Sequence, residues 1–235
     1  MKKFTLFLLL AAICVPFLQS CNKSIDQPDQ VALATIHSAP FAGAGFYGLL
    51  DNGDKIYPGS VRVKYEPKAE PVRALLYFKA LAEPVQGFQY NADIYNITEL
   101  IPDNIKSFTT AAADTLKGGV EITNAYIGGG YLNIEFKAFI DPYNPNQAFF
   151  VELQDMRING STPEYDSYYP LTLGFKCYPE FTDGTGYEVS SIACFYIGDD
   201  YSLGNLGCEG YELRYKGLMK VEDDNSYESK IVKPE

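Results

Sequence analysis

The 235-residue sequence predicts an all-β protein. It contains 19 Tyr and 15 Phe but no Trp, and residues of this shape favour strands over helices. The 20 Gly and 14 Pro are spread between short apolar runs, as turn residues are between strands. A hydrophobic content of 46% with 21% charged residues is typical of a chain that buries a core, which excludes wholesale disorder.

The first residues indicate export and lipid attachment. Lys2 and Lys3 precede an apolar run, FTLFLLLAAICVPF, that has the length of an export signal and is too short to span a membrane. The following LQSC resembles the lipobox of bacterial lipoproteins, in which the chain is cut before the cysteine and the thiol receives a diacylglycerol. We therefore expect residues 1–20 to be a signal peptide and Cys21 to carry acyl chains that anchor the protein in a membrane.

The expected mature chain is acidic. Residues 21–30 are polar and contain a proline, which predicts a flexible tether. Removal of the signal leaves 17 basic against 30 acidic residues, a net charge of −13. Because affinity for phosphate backbones depends on clustered Lys and Arg, this balance argues against a nucleic-acid partner.

The first half of the mature chain reads as strands joined by tight turns. The folded part begins at VALATIHSA, and FYGLLDNGDKIYPG predicts a hairpin whose Asn52 and Gly53 tolerate positive φ. VRVKYEP predicts a strand, with Val61, Val63 and Tyr65 on one face. RALLYFKALAE predicts a strand buried on both faces, and YNITELIPDNI predicts one short helical turn.

The second half predicts an antiparallel β-sandwich. The small and turn residues of TTAAADTLKGG place a domain boundary near residue 112, which gives domains at 31–112 and 113–235. VEITNAYIGGGYLNIEFKAFI reads as strand, turn and strand, with Leu132, Ile134 and Phe136 on one face. Further strands, at the spacing of a sandwich, are AFFVELQDM, YYPLTLGFKCYP, YEVSSIACFYIG and CEGYELRYKGLMKV. The acidity lies here, with 9 basic and 20 acidic residues from 111 onward against 7 and 8 over 31–110.

The order of these segments resembles the NigD-like lipoproteins of Bacteroidota. The resemblance rests on the lipobox, VALATI, LLDNGDKIYP, RALLYF and ITNAYIGGGYLNIEFKA, and it covers essentially the whole mature chain. It implies an N-terminal OB-like barrel followed by a C-terminal β-sandwich. The family takes its name from a component of a bacteriocin gene cluster, so the resemblance also implies a role in immunity.

No pattern of a catalytic centre is present. A triad would have to use His37, the single histidine, and its surroundings ATIHSAP carry no motif that positions a nucleophile. We interpret His37 as a surface residue at a strand end. The sequence contains no GxGxxG, P-loop or HExxH, and DNGDK lacks the further acidic ligands of a calcium loop. We therefore expect no enzymatic activity, no metal and no cofactor.

Three cysteines remain in the second domain, and their state is open. A turn at TDGTG would place Cys177 opposite Cys194, and a turn centred on Tyr201 would place Cys194 opposite Cys208. A row of buried thiols is one interpretation, since free cysteine is among the most buried residue types. A disulfide between Cys177 and Cys194 is the second, and a three-thiolate metal site without a fourth ligand is the third.

Surface residues offer three weaker candidates for contact or modification. A local basic patch on the first domain would consist of Arg62, Lys64, Lys68 and Arg73. The tyrosines of PEYDSYYP are suited to a sugar or protein contact. The tripeptide DTL resembles the O-glycosylation sequon of exported Bacteroidota proteins, which makes Thr115 a candidate for modification.

These observations favour a lipid-anchored, non-catalytic binding module that docks an envelope protein or a glycan. Bacteriocin immunity is the first alternative, and a glycan hydrolase that uses two carboxylates is the second. We expect the outer membrane as the location. The scattered Asp26 and Asp29 after Cys21, in place of an acidic run, favour the periplasmic face over the cell surface.

Overall fold

The computed structural model describes residues 27–107, 118–141, 143, 148–155, 167–178, 186–218 and 227–234. These residues form fourteen strands and two short helical segments. The strands of the first half are β1 Gln30–Ser38, β2 Phe46–Leu50, β3 Lys55–Val61, β4 Val72–Ala80 and β5 Tyr90–Glu99. The later strands are β6 Asp103–Asn104, β7 Lys106–Ser107, β8 Glu121–Gly128, β9 Tyr131–Ile140, β10 Ala148–Asp155, β11 Tyr168–Tyr178, β12 Tyr187–Tyr196, β13 Gly210–Tyr215 and β14 Glu228–Val232.

The first five strands close into a barrel in the order β1-β2-β3-β5-β4, with β4 paired back to β1. All neighbours are antiparallel except β3 and β5, which run parallel. Side chains alternate between the interior and the outside, as the period of two in a strand requires. The interior is filled by Ala34, Ile36, Phe46, Ile56, Ala74, Leu76, Phe78, Ala92 and Ile94.

The remaining strands form two sheets that share one core. One sheet has the order β14-β13-β11-β10-β7, and the other has the order β6-β12-β9-β8. Rings from the two sheets meet at Phe136 and Phe175, whose centroids lie 6.2 Å apart. Three buried tyrosines, Tyr169, Tyr211 and Tyr215, also enter this core, and the hydroxyl of Tyr169 donates a hydrogen bond to Asp155 at 2.8 Å. The C-terminal domain is therefore a β-sandwich.

The sandwich is mixed rather than purely antiparallel. Strand β11 pairs with β13 in parallel, and the two-residue strands β6 and β7 pair in parallel with β12 and β10. Strands β6 and β7 follow the barrel directly, so residues 103–107 already belong to the sandwich sheets. The segment around residue 112, where the sequence places the boundary, lies outside the described residues.

Most strand predictions for the first half are confirmed. The hairpin of β2 and β3 turns at residues 51–54, where Gly53 has a φ of 87°. RALLYFKALAE forms β4, although its residues alternate in burial instead of being buried on both faces. The predicted strand VRVKYEP is paired only at its start, because β3 ends at Val61. The predicted shared face is confirmed, since Val61, Val63 and Tyr65 are half-buried and the residues between them are exposed.

One prediction of local structure is wrong. The stretch YNITELIPDNI forms the end of β5 and then β6, with no helical turn. The helical segments lie instead at Asp199–Tyr201 and at α1, Leu203–Leu206. The side chain of Ser202 accepts a hydrogen bond from Asn205 N, and Gly207 ends α1 in the left-handed region. No helix among the described residues is long and apolar enough to cross a membrane.

Candidate functional site

Five rings form a continuous surface on the outside of the barrel, which we call the aromatic face: His37, Phe41, Tyr47, Tyr57 and Phe88. Three of them lie on strands, namely His37 on β1, Tyr47 on β2 and Tyr57 on β3. His37 of β1 lies directly opposite Tyr47 of β2. Their neighbours Ile36 and Phe46 point into the barrel, so alternation turns both rings outward.

The rings contact one another in sequence. His37 stacks on Tyr47 with centroids 5.1 Å apart and planes within 13°, and Phe41 stacks on Tyr47 at 6.4 Å. Phe88 stands nearly perpendicular to both tyrosines, 6.2 Å from Tyr47 and 5.2 Å from Tyr57. Offset stacked and edge-to-face pairs at these distances are favourable contacts, so each ring restrains its neighbour.

Two loops supply the remaining rings. Phe41 lies in the loop between β1 and β2, which is closed by hydrogen bonds from Ala39 N to Gly45 O and from Gly45 N to Ala42 O, at 2.8 and 2.7 Å. Phe88 lies in the loop between β4 and β5, which is held by a bond from Phe88 N to Val85 O at 3.1 Å. Phe41 is 75% exposed although its ring is in contact, which makes it the most open ring of the aromatic face.

The aromatic face carries no charge at neutral pH. Burial lowers the pKa of His37 below its ordinary 6.5, so the imidazole is neutral. Its Nε2 is buried and has no hydrogen-bond partner among the described residues. The hydroxyl of Tyr57 accepts a bond from Gly43 N at 3.3 Å, which leaves the phenolic proton to donate.

The aromatic face and the start of the folded chain lie at opposite ends of β1. Gln30 begins the strand and Ser38 ends it, and eight steps of an extended strand cover about 26 Å. His37 is next to the far end, and Phe41 lies just beyond it. A chain anchored ahead of residue 30 therefore carries these rings at the end of β1 away from the anchor.

A second site lies where the barrel meets the sandwich, and it is polar and buried. Arg73 of β4 is fully buried and donates to both carboxylate oxygens of Asp51, at 2.5 and 2.6 Å. It also donates to Asn133 Oδ1 of β9 at 2.9 Å, so one guanidinium bonds to both domains. The Cζ atom of Arg73 lies 4.9 Å from the ring centre of Tyr131, which is a cation–π contact. We call this group the joint cluster.

Cys194 and Tyr126 border the joint cluster. Cys194 of β12 lies opposite Asn133 in the register, on the side of the sheet that faces the barrel. Burial raises the pKa of the Cys194 thiol, and the guanidinium of Arg73 opposes the rise. Burial and the carboxylate of Asp51 raise the pKa of Tyr126. Both groups therefore remain protonated at neutral pH.

A cleft of about 720 Å³ opens beside the joint cluster, between the two domains. Its barrel wall includes Val31, Leu33 and Leu75, and its sandwich wall includes Phe136 and Ile192. Two carboxylates, Asp51 and Glu135, also line it. Both oxygens of Asp51 accept bonds from Arg73, and Glu135 accepts one from Asn124 at 3.3 Å.

The predicted alignment of cysteines is wrong. Strand β11, which carries Cys177, pairs with β10 and β13, whereas β12, which carries Cys194, belongs to the other sheet. Cys194 and Cys208 have free thiols, and Cys208 precedes β13, which does not pair with β12. The side chain of Cys177 lies outside the described residues, as do Cys21 and Thr115. Among the described residues, no three His, Cys, Asp or Glu side chains are grouped as a metal site requires.

The predicted basic patch is wrong at Arg73, and each of its other three cations has an acidic partner. Arg62 pairs with Asp93 and lies 4.0 Å from the ring centre of Tyr95. Lys64 pairs with Glu66 at 3.2 Å, and Lys68 pairs with Glu99. Arg73 is not on the surface at all, since the sandwich covers it. Of the PEYDSYYP tyrosines, Tyr169 lies in the sandwich core.

Both sites escaped prediction from the sequence. The rings of the aromatic face come from three strands and two loops, so no local pattern contains them. One signal was available: Tyr47 and Tyr57 alternate with buried residues in the predicted hairpin, which places them on its outer face. The joint cluster has no such signal, because Asp51, Arg73 and Asn133 lie far apart in the chain.

The model of the NigD-like N-terminal OB domain family matches residues 34–100, which span the barrel from β1 to the end of β5. Over these residues the barrel matches the NigD-like OB domain. The resemblance predicted from the sequence is therefore confirmed, and the strand order of the NigD-like barrel agrees with it. No curated protein matches the chain.

Two solved structures share the fold of the NigD-like barrel together with its sandwich. A Bacteroides vulgatus protein described as of unknown function is 23% identical, with a TM-score of 0.66 over 87% of this chain and 90% of that one. A NigD-like immunity protein from Bacteroides caccae is 15% identical, with a TM-score of 0.60 over 86% and 91%. At these identities the likeness concerns the fold alone.

Proposed function

We propose that the protein is a non-catalytic binding module of the bacterial cell envelope, anchored through lipid on Cys21, and that it binds its partner with the aromatic face. The partner is an envelope protein or a glycan. The expected location is the outer membrane, on its periplasmic face. Support for the anchor comes from the lipobox-like LQSC ahead of a polar tether.

The position of the rings is the observation that carries the proposal. OB-fold barrels bind ligands on the surface of strands 2 and 3 and on the loops after strands 1 and 4. Here Tyr47 and Tyr57 lie on β2 and β3, Phe41 lies in the loop after β1, and Phe88 lies in the loop after β4. Four rings therefore occupy the four structural positions that this fold uses for recognition.

The carboxylates of the cleft do not favour the hydrolase alternative. A glycosidase needs one carboxyl group that protonates the leaving group and a second that acts as base or nucleophile. Both carboxylate oxygens of Asp51 accept hydrogen bonds from Arg73, and Arg73 also donates a hydrogen bond to Asn133. Such a pair holds the two domains together and leaves no free carboxylate oxygen on Asp51 for a substrate.

Immunity to a bacteriocin is the second candidate function. It is favoured by the NigD-like OB domain and by the shared fold with a protein described as a NigD-like immunity protein. In that case the partner on the aromatic face would be a toxin or the target of a toxin. Expression of the chain in a sensitive strain would then protect the cells, and the variant Phe41→Ala would not.

Site-specific photo-crosslinking in intact cells tests the binding role. A benzophenone amino acid replaces Phe41, and a matched variant carries it at Tyr143, which is 94% exposed and lies in the sandwich domain. We expect a reproducible adduct from position 41 and none from position 143. Mass spectrometry of the adduct then identifies the partner as protein or glycan.

The variant Cys21→Ser, with the same crosslinker at position 41, is the control for the anchor. An adduct that requires Cys21 supports an envelope partner reached from the membrane. Equal adducts from positions 41 and 143, or no adduct above the unanchored control, would overturn the proposal.

A further inference from the structure

We propose that the ligand of the aromatic face is a neutral glycan. This inference rests on the proposed function and names the chemistry of its ligand. A sugar ring presents a patch of C–H groups on one side and hydroxyl groups around its edge. It is therefore bound by an aromatic ring against the patch, with polar groups at the border. Phe41 supplies an open ring, and the Tyr57 hydroxyl supplies a donor.

Phe41 is held ready for such a contact. Its ring is 75% exposed and rests on Tyr47, which is itself backed by His37. The backbone of its loop is closed by the hydrogen bonds from Ala39 N to Gly45 O and from Gly45 N to Ala42 O. A ring that is ordered before the ligand arrives loses little entropy on binding. An exposed phenylalanine without such support would offer no comparable platform.

Charge separates a neutral glycan from nucleic acid and from anionic polymers. The aromatic face has no cation, since its single ionisable base, His37, has a lowered pKa. Lys55 is exposed and lies two residues before Tyr57 on β3, so one ammonium group borders the face, and a single cation does not form a positive groove. The whole chain has a net charge of −11. Stacking proteins that hold nucleic acids add a positive groove to their rings, and that element is missing here.

The small exposed area of the aromatic face favours a glycan over a protein partner. Aromatic side chains bury roughly 150–250 Å² each, and four of these five are already less than half exposed, so the face offers no more than about 500 Å². A stable protein interface needs about 800 Å² from each partner. The exposed rings are too few for a protein interface of standard size, but they suffice for a few sugar units.

Affinity electrophoresis of the lipidated mature chain in detergent tests the inference. The gels contain one neutral polysaccharide each: mannan, dextran, starch, xylan, levan or β-glucan. Heparin and a single-stranded oligonucleotide serve as anionic probes. We expect retardation by at least one neutral polysaccharide and by neither anionic probe.

Variants at Phe41 assign the binding to the ring. Phe41→Ala and Phe41→Leu should weaken retardation about tenfold or more, and Phe41→Trp should keep it, because leucine preserves apolarity without a flat ring. Tyr143→Ala is the matched control, and it should bind as the parent does. A thermal melt confirms that each variant is folded.

Each other outcome overturns the inference. No retardation by any neutral polysaccharide, retardation that survives in Phe41→Leu, or binding to an anionic probe would each do so. The proposed function is judged separately by the crosslinking experiment. A protein adduct at position 41 without retardation by any neutral polysaccharide would preserve the binding module and refute the glycan.

Discussion

Two outer surfaces of the same barrel differ in which side chains they bury: one exposes an apolar ring, and the other buries a charged side chain. The aromatic face leaves Phe41 three-quarters exposed. The surface toward the sandwich fully buries Arg73 and leaves its carboxylate partner, Asp51, 13% exposed. Arg73 lies on β4 and points out of the barrel, next to Ala74 of the interior, and Phe41 lies in the loop after β1. The difference arises because the sandwich domain packs over Arg73, whereas no described residue of the sandwich packs over Phe41.

The comparison shows that a position outside the barrel does not fix burial. Within the barrel, alternation separates inside from outside reliably. Whether an outside residue meets water depends on a second domain that joins the barrel through residues 103–107. A buried cation then requires a partner, which Asp51 and Asn133 supply, whereas an exposed ring is useful as a contact for a ligand.

The largest difference in stability is expected between substitutions in the barrel interior and substitutions on the aromatic face. Phe46 and Phe41 lie five residues apart, but Phe46 is 1% exposed in the barrel core. Phe46→Ala should lower the free energy of unfolding by about 3–5 kcal/mol, because it leaves a cavity. Phe41→Ala should change it by less than about 0.5 kcal/mol, as exposed substitutions do. Urea denaturation measures both, and equal losses would show that Phe41 is structural.

Removal of the buried cation should cost nearly as much. Arg73→Met leaves Asp51 buried without its partner, and such changes destabilise proteins by about 3–5 kcal/mol. Lys64→Met is the control, since the side chain of Lys64 is 89% exposed in its ion pair with Glu66. The double variant Arg73→Met with Asp51→Leu should recover much of the loss. A loss below about 1 kcal/mol in Arg73→Met would mean that water reaches the joint cluster.

Two adjacent glycines give a finer test of the joint. Gly129 and Gly130 both have positive φ, at 61° and 85°, so alanine is strained at either position. A Cβ at Gly129 would lie 2.6 Å from Asp51 Oδ1, whereas a Cβ at Gly130 would meet nothing within 4 Å. Gly129→Ala should therefore be less stable than Gly130→Ala by about 1–2 kcal/mol. Equal stabilities in urea denaturation would contradict a tight contact between the domains.

The smallest change in stability is expected on acidification, through His37 of the aromatic face. Burial lowers the pKa of His37 in the folded state, while the unfolded chain keeps a value near 6.5. The unfolded state then binds more protons as the pH falls below 6.5, so stability from this group is lost on acidification. Because His37 is the single histidine, one imidazole resonance reports its titration by NMR. A midpoint at or above 6.5 would contradict its burial, and His37→Gln should remove this part of the pH dependence.

Much of the fold could be predicted from local pattern. The hairpin of β2 and β3 is specified by Asn52 and Gly53 between alternating residues, and β9 by the alternation of Leu132, Ile134 and Phe136, all of which are buried. Helix α1 was missed although Ser202 and Gly207 mark its ends, because four residues give no period to detect. The cysteine register failed for a different reason. It assumed that consecutive strands pair, and β11 and β12 lie in different sheets.

The all-β class, the barrel hairpin and the inward alternation can be read from the sequence, since each follows from neighbours within a few residues. The same holds for the acidic balance and for the lipobox-like LQSC on which the anchoring proposal rests. Folding and packing of the domains are needed to bury Arg73, to separate Cys177 and Cys194 into different sheets, and to bring five distant rings together. The physical reason is that burial and strand pairing across sheets depend on residues far apart in the chain, which approach one another only when the domains have folded and packed.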